Sequence, residues 1–355
     1  MPSTDSPPLR VLVVDDQSFM RIALRRIIEA DGDMLVVGQA RNGIEAVALA
    51  QQLKPDAITM DVEMPELGGL DACAQIMREV RPAPVVIMVS AYTQGGAAAT
   101  TKALRLGAVD FVSKSSLHAQ TDLAQIDSEL RDKLRAWTQF KRTHPTETAP
   151  AIEAQVPSVR RRPDLIVIAV STGGPQTLTT LLKAMGPIEV PIAIALHMPE
   201  FFTASFAKML AQDTGCLVTE GAHRQHLAPG TVTILPGGTD GVVGLRAEGG
   251  YELRIVTVEA SVHPSADALF ESAALVAPRP VGVVLTGMGA DGVRGVQALR
   301  RKQAPILVQD PSSCIVGGMP EAAIAAVPEC EILSIERIAQ RLATWSRQPG
   351  LAEPG

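Results

Sequence analysis

Three side chains in the second half of the chain are of the types that acyl transfer needs. Ser171 follows the apolar run 165–170 and opens Ser171-Thr172-Gly173-Gly174-Pro175. His197 follows the run 192–196, and Asp291 lies in Thr286-Gly287-Met288-Gly289-Ala290-Asp291-Gly292 after the run 281–285. A hydroxyl needs a base to take its proton, and an imidazole needs a carboxylate to fix its tautomer and stabilise its charged form. Glycines beside Ser171 and Asp291 let backbone N–H groups approach an oxyanion. Each residue also has a plain structural role open to it, Ser171 and Asp291 as helix caps and His197 as a loop histidine bonded to its surroundings. Spacing alone leaves both readings standing. The coincidence of all three at strand ends favours chemistry.

The order of these residues excludes familiar alternatives. An α/β-hydrolase carries G-x-S-x-G with its acid before its histidine, whereas Ala169 holds the first glycine position here and His197 precedes Asp291. No G-x-x-x-x-G-K-[ST] loop occurs for nucleotide phosphates. His223 and His226 have no third ligand at recognisable spacing, so a zinc site is not expected.

The first half offers different chemistry. Asp15 and Asp16 follow its first apolar run, Asp61 the third, Ser90 the fourth and Lys114 the fifth. Three carboxylates meeting in one crevice repel one another unless a hard cation sits among them, and Mg²⁺ suits that need. An aspartate in such a site can attack a phosphoryl group, while Lys114 neutralises phosphate charge and the Ser90 hydroxyl bonds a phosphate oxygen. Any one of these aspartates could instead be a turn former.

The elements that must position these residues are short strands alternating with helices. Runs at 11–14, 35–39, 57–60, 85–89 and 110–112 read as strands, with helices starting near Ser18, Gly43, Gly69, Gly95 and Leu117. Runs at 165–170, 192–196, 232–235, 281–285 and 306–308 repeat the pattern, and 241–258, with Gly249-Gly250 inside it, reads as an antiparallel hairpin. Such alternation predicts two doubly wound α/β domains, the first a five-stranded parallel sheet and the second larger and mostly parallel. Residues 1–122 are assigned to the first domain and 164–348 to the second, with a tail at 349–355. Residues 123–163 are read as a linker, helical at first through Leu123, Ile126, Leu130, Leu134 and Trp137, then flexible through a proline-rich stretch. Ligands of such folds gather outside the carboxyl ends of the strands, where all eight candidate residues fall.

A chain of 355 residues accommodates two domains, each able to bury a core. A net charge of −6 gives no electrostatic reason to expect nucleic-acid binding. The four cysteines, Cys73, Cys216, Cys314 and Cys330, are scattered without a C-x-x-C pair, which argues for reduced thiols. No apolar run approaches a membrane span and no signal peptide is evident, so a soluble, cytoplasmic protein is expected.

Two resemblances follow from these motifs. Val11-Leu12-Val13-Val14-Asp15-Asp16-Gln17, Thr59-Met60-Asp61-Val62-Glu63-Met64-Pro65, Ser90-Ala91 and Phe111-Val112-Ser113-Lys114 resemble the flavodoxin-like receiver domain of bacterial response regulators. That resemblance implies phosphorylation of Asp61 by a histidine kinase, with Asp15 and Asp16 helping to hold Mg²⁺. The Ser171–Pro175 segment, His197-Met198-Pro199, the Thr286–Gly292 loop and Gly318-Met319-Pro320 resemble the catalytic domain of the chemotaxis protein-glutamate methylesterases. This one implies a Ser171–His197–Asp291 triad, oxyanion binding by the N–H of Met288 with Thr172 nearby, and no cofactor for the hydrolysis. Its implied substrates are methylated glutamates of chemoreceptors, with methanol as product, and receptor glutamines by deamidation. The layout further implies that the unphosphorylated receiver inhibits the second domain.

The chain departs from the family at several positions. Ser115 stands where receivers commonly have proline after the lysine, Ala169 where the methylesterases have glycine, Asp240 where they have histidine, His263 where they have arginine, and Pro311 where they have glutamate. The alternative these departures raise is a non-catalytic two-component adaptor with a degenerate esterase domain. A hydrolase of small-molecule esters is a third reading.

Overall fold

The computed structural model describes residues 7–90, 94–114, 123–143, 162–187 and 189–346. The chain divides into two units, Met1–Glu147 and Thr148–Gly355.

In the first unit, β1 (Leu9–Val14), β2 (Met34–Ala40), β3 (Ala57–Asp61), β4 (Val85–Ser90) and β5 (Asp110–Ser113) form one parallel sheet in the order β2-β1-β3-β4-β5. The helices are α1 (Ser18–Glu29), α2 (Gly43–Leu53), α3 (Gly69–Glu79), α4 (Gln94–Arg105) and α5 (Leu123–Thr143). Strands β3 and β4 are buried along their whole length, as a sheet covered on both faces requires. Chain direction across the sheet reverses between β1 and β3, and this opens a crevice at their carboxyl ends.

One sequence assignment changes here. Residues 123–143 are not linker: α5 packs on the first sheet as its fifth helix. Its apolar stripe buries Leu130, Leu134 and Trp137, and its polar groups reach the same unit. Lys133 Nζ lies 3.1 Å from Asp110 Oδ1, the Trp137 indole N–H donates to Asp110 Oδ2 at 3.1 Å, and the Arg135 guanidinium pairs with Asp33 at 2.6 Å. A helical period predicts an apolar stripe but not which surface it meets. The helix start read near Leu117, the Lys114–Ser115 bond, the proline-rich stretch 144–161 and the tail lie outside the described residues.

In the second unit, seven strands form a wholly parallel sheet: β6 (Leu165–Val170), β7 (Ile192–Leu196), β8 (Leu217–Glu220), β10 (Thr231–Ile234), β13 (Pro280–Val284), β14 (Ile306–Gln309) and β15 (Glu331–Leu333). Their order is β15-β14-β13-β6-β7-β10-β8. A separate antiparallel sheet joins β9 (Gln225–Leu227), β11 (Asp240–Leu245) and β12 (Tyr251–Val256), with β11 and β12 forming the hairpin expected around Gly249-Gly250. The helices are α6 (Gly174–Met185), α7 (Phe202–Thr214), α8 (Ala266–Val276), α9 (Val293–Arg301), α10 (Gly318–Ala326) and α11 (Ile335–Ser346). The sequence reading misses the edge strands β8 and β15 because they are short and half exposed, with Leu217 and Ile332 pointing outward.

Strand β6 lies at the centre of this sheet and is buried at every residue. A fully buried Leu, Ile or Val is worth about 1.5–3 kcal/mol, and β6 carries five of them. The strand is therefore a rigid platform for the residue that follows it.

Candidate active site

Sheet register brings the three candidate residues of the second unit to one place. Val170 of β6 pairs with Leu196 of β7, so the next residues, Ser171 and His197, leave adjacent strands side by side; His197 N–H donates to Val170 O at 3.1 Å. On the other flank β6 pairs with β13, and Ser171 N–H donates to Thr286 O at 3.0 Å. Ser171 thus stands between the histidine strand and the loop that carries Asp291. Strand order reverses between β6 and β13, the kind of point at which parallel α/β sheets bind their ligands.

The turn after Ser171 needs its glycine. Gly173 adopts φ +81° before α6 begins, a left-handed conformation that side chains disfavour. Pro175 then sits in the first turn of α6, where its missing N–H costs nothing. Gly287 is required for a different reason, because a Cβ there would come within 2.8 Å of Ser171 Cβ and 2.4 Å of Met319 Sδ. The Thr286 hydroxyl donates to Thr172 O at 3.0 Å, and the buried Gln309 accepts from Thr286 N–H at 2.9 Å. These bonds tie the Thr172 turn to the Met288 loop. Among the described residues, the backbone N–H groups of Thr172 and Met288 donate no hydrogen bond.

His197 Nε2 lies 2.9 Å from Asp291 Oδ2. Burial alone would raise the Asp291 pKa, but the hydrogen bonds from His197 and the Ala266 N–H outweigh it and hold the carboxyl below its ordinary range. An ionised carboxylate only accepts, so Nε2 carries the proton and Nδ1 is left as the basic nitrogen. Among the described residues, His197 makes no side-chain hydrogen bond to Ser171. Such bonds are commonly loose until substrate binds.

Asp291 is also a cap, though not of the helix that follows it. It accepts from Ala266 N–H at 2.6 Å, Asp267 N–H at 3.1 Å and Ser265 Oγ at 3.3 Å, all at the start of α8. In return Asp267 accepts from Gly295 N–H in α9 at 2.9 Å. The sequence offered capping and chemistry as alternatives, and the geometry gives this carboxylate both kinds of partner.

The departures in the second unit fit their surroundings. Ala169 is buried within β6, and its methyl lies 3.8 Å from where a Cβ on Gly292 would be, an ordinary contact. Asp240 and His263 are bonded to each other, Nδ1 lying 2.9 and 3.0 Å from the two carboxylate oxygens. Pro311 opens a one-turn 3-10 helix capped by Asp310. Burial pushes the thiols of Cys73 and Cys314 up to about 12, which removes them as nucleophiles near neutral pH.

In the first unit, carboxylate oxygens of Asp15, Asp16 and Asp61 lie within 4.8 Å of one another at the ends of β1 and β3. Lys114 Nζ bridges Asp15 Oδ2 at 2.9 Å and Asp61 Oδ2 at 2.7 Å. Burial raises the Asp61 pKa to about 6; Lys114 opposes the shift and the Asp15 charge adds to it. Burial likewise works against the charge on Lys114, but its bonds to Asp61 and Asp15 win and raise its pKa. Ser90 is buried at the end of β4. Three clustered hard oxygen donors, two of them buried, fit a divalent cation with retained waters. A second group of residues escaped the sequence reading altogether. Ser265 and Asp267 matter through bonds to distant segments, and no local pattern marks them.

Comparison with known proteins covers both units. Residues 166–342 match the family model described as CheB methylesterase, and residues 11–126 match the response regulator receiver domain. The protein-glutamate methylesterase/protein-glutamine glutaminase 2 of Bordetella avium is 39% identical over 344 residues, covering 94% of this chain and 96% of that one. The protein-glutamate methylesterase/protein-glutamine glutaminase 1 of Caulobacter vibrioides is 40% identical over 335 residues, covering 93% and 94%. The protein-glutamate methylesterase/protein-glutamine glutaminase of Pyrococcus horikoshii is 38% identical over 342 residues, covering 93% and 91%. The chain therefore belongs to the CheB methylesterase family and carries a response regulator receiver domain ahead of the methylesterase domain.

Proposed function

We propose that this chain is a phosphorylation-activated protein-glutamate methylesterase, and a protein-glutamine deamidase, that acts on methylated chemoreceptors. The observation that supports the reading is the strand register, which delivers Ser171 and His197 from the ends of adjacent paired strands, together with the contact of His197 Nε2 with Asp291 at 2.9 Å. In this scheme Ser171 Oγ attacks the ester carbonyl while His197 Nδ1 takes its proton. The Thr172 and Met288 N–H groups receive the negative oxygen of the tetrahedral intermediate. His197 returns the proton to the departing methoxide, releasing methanol and leaving an acyl-serine. Water, deprotonated by His197, then attacks the acyl group; glutamate leaves, and Ser171 regains its proton. A glutamine amide passes through the same kind of intermediate and releases ammonia.

Asp61 is the proposed phosphoacceptor, with a histidine kinase as donor. The Asp61 carboxylate oxygen attacks the phosphorus of the donor's phosphohistidine, the P–N bond breaks and the kinase imidazole leaves, while Lys114 neutralises the added charge and Ser90 bonds a phosphate oxygen. Asp15, Asp16 and Asp61 would hold Mg²⁺, which supplies positive charge against the phosphoryl oxygens when bound. No step calls for nucleic acid, and no described helix is long and apolar enough to cross a membrane. We place the protein in the cytoplasm, where its kinase and receptor partners would meet it.

Methanol release from membranes bearing methylated receptors tests the reading. The wild type should release it, and Ser171→Ala should lower the rate at least about 10³-fold. Equal release by the variant would contradict the scheme.

A further inference from the structure

The Asp291 carboxylate has four donors, and three of them, Ser265 Oγ and the N–H groups of Ala266 and Asp267, come from one short segment. What fixes that segment is a second carboxylate. Asp240, at the start of β11, is almost completely buried. Its Oδ1 accepts from Ser265 N–H at 2.8 Å and its Oδ2 from Val258 N–H at 3.2 Å. It therefore clamps both ends of the connection from β12 to α8. The remaining partner is the half-exposed His263 ring, bonded to Asp240 through Nδ1. A buried carboxylate is stable only with such partners, and these three supply them.

We propose that Asp240, supported by His263, is a positioning residue for the hydrolysis. It holds Ser265 so that the start of α8 presents its donors to Asp291, and Asp291 in turn sets the tautomer and tilt of His197. The chain of contacts runs His263, Asp240, Ser265, Asp291, His197, and every link is a hydrogen bond of 3.3 Å or less. Removing the clamp frees the 258–265 connection and lets Asp291 shift with it. A displacement on the order of 1 Å in a catalytic constellation can cost about 10²-fold in rate.

This inference rests on the reaction scheme above, and the test separates the two. Full-length Asp240→Ala and Asp240→Asn are compared with the wild type by methanol release and by the histidine ring-proton resonances of the ¹⁵N-labelled protein. Asp240→Ala should lower kcat by about 10²-fold with KM within about twofold, and should move the His197 Nε2–H resonance. Asp240→Asn keeps one acceptor for Ser265 N–H and should fall between the two. If Asp240→Ala does not fold, Asp240→Asn carries the test by the same readouts. A folded variant with unchanged kcat, or with an unmoved His197 resonance, overturns the positioning role. Absence of methanol release from the wild type would instead overturn the reaction scheme, while the resonance still reports on the clamp.

Discussion

Asp61 and Asp291 hold comparable places in the two units. Each lies at the carboxyl edge of a parallel sheet, beside the point where strand order reverses, and each is nearly buried. Their surroundings push in opposite directions. Asp61 shares its crevice with Asp15 and Asp16 and has Lys114 as its cationic neighbour, so burial prevails and its pKa rises to about 6. Asp291 faces an imidazole and the N-terminal amides of α8, so burial loses and its pKa falls. The proposed phosphoacceptor sits where burial outweighs its one cationic neighbour. The carboxylate proposed to orient a base sits where four donors reach its two oxygens. The fold supplies the same kind of crevice twice, and the neighbours decide what an aspartate does in it.

The largest effect is expected at Asp291. Asp291→Asn should lower kcat for methanol release by on the order of 10⁴-fold, because an amide no longer dictates that Nε2 carries the proton. A loss of less than about tenfold would mean that the helix amides, rather than the carboxylate charge, orient His197.

A second variant sharpens the other half. Asp61→Asn should abolish incorporation of phosphate from acetyl phosphate, and it should also stabilise the unphosphorylated receiver. A carboxyl whose folded pKa is raised contributes stability that is complete below its unfolded value near 3.8 and is lost as pH rises through about 6. At pH 7 the charge is therefore a net cost, and Asp61→Asn should raise the unfolding free energy by at most about 3 kcal/mol, with the gain fading toward pH 4. Asp291 has the opposite sign: its contribution is present above the ordinary carboxyl value and is lost as pH falls through its lower folded pKa. Urea titrations of wild type and Asp61→Asn across that pH range check the sign. A variant that is less stable at pH 7 would place Asp61 among the satisfied carboxylates.

Much of this arrangement is legible in the sequence, and what is missing has a physical pattern. Buried parallel strands announce themselves as apolar runs, so β1, β3, β6, β7 and β13 and the polar residues that end them are visible directly. Sequence order then places those residues at one edge of each sheet. Half-exposed edge strands such as β8 carry no such run. Long-range pairing is equally silent: nothing local tells that α5 docks through Trp137 onto Asp110, or that Asp291 caps α8 rather than α9. Asp240 and His263 look like separate departures in sequence, yet they contact each other across 23 residues.

The proposed mechanism makes Ser171 a nucleophile activated by His197 and governed by the receiver. It is tested most directly by reacting the full-length protein with a fluorophosphonate probe, with and without acetyl phosphate, and locating the adduct by peptide mass spectrometry. The adduct is expected on Ser171, formed faster with acetyl phosphate and more slowly in Asp291→Asn. An unmodified Ser171, or an adduct formed elsewhere, would contradict it.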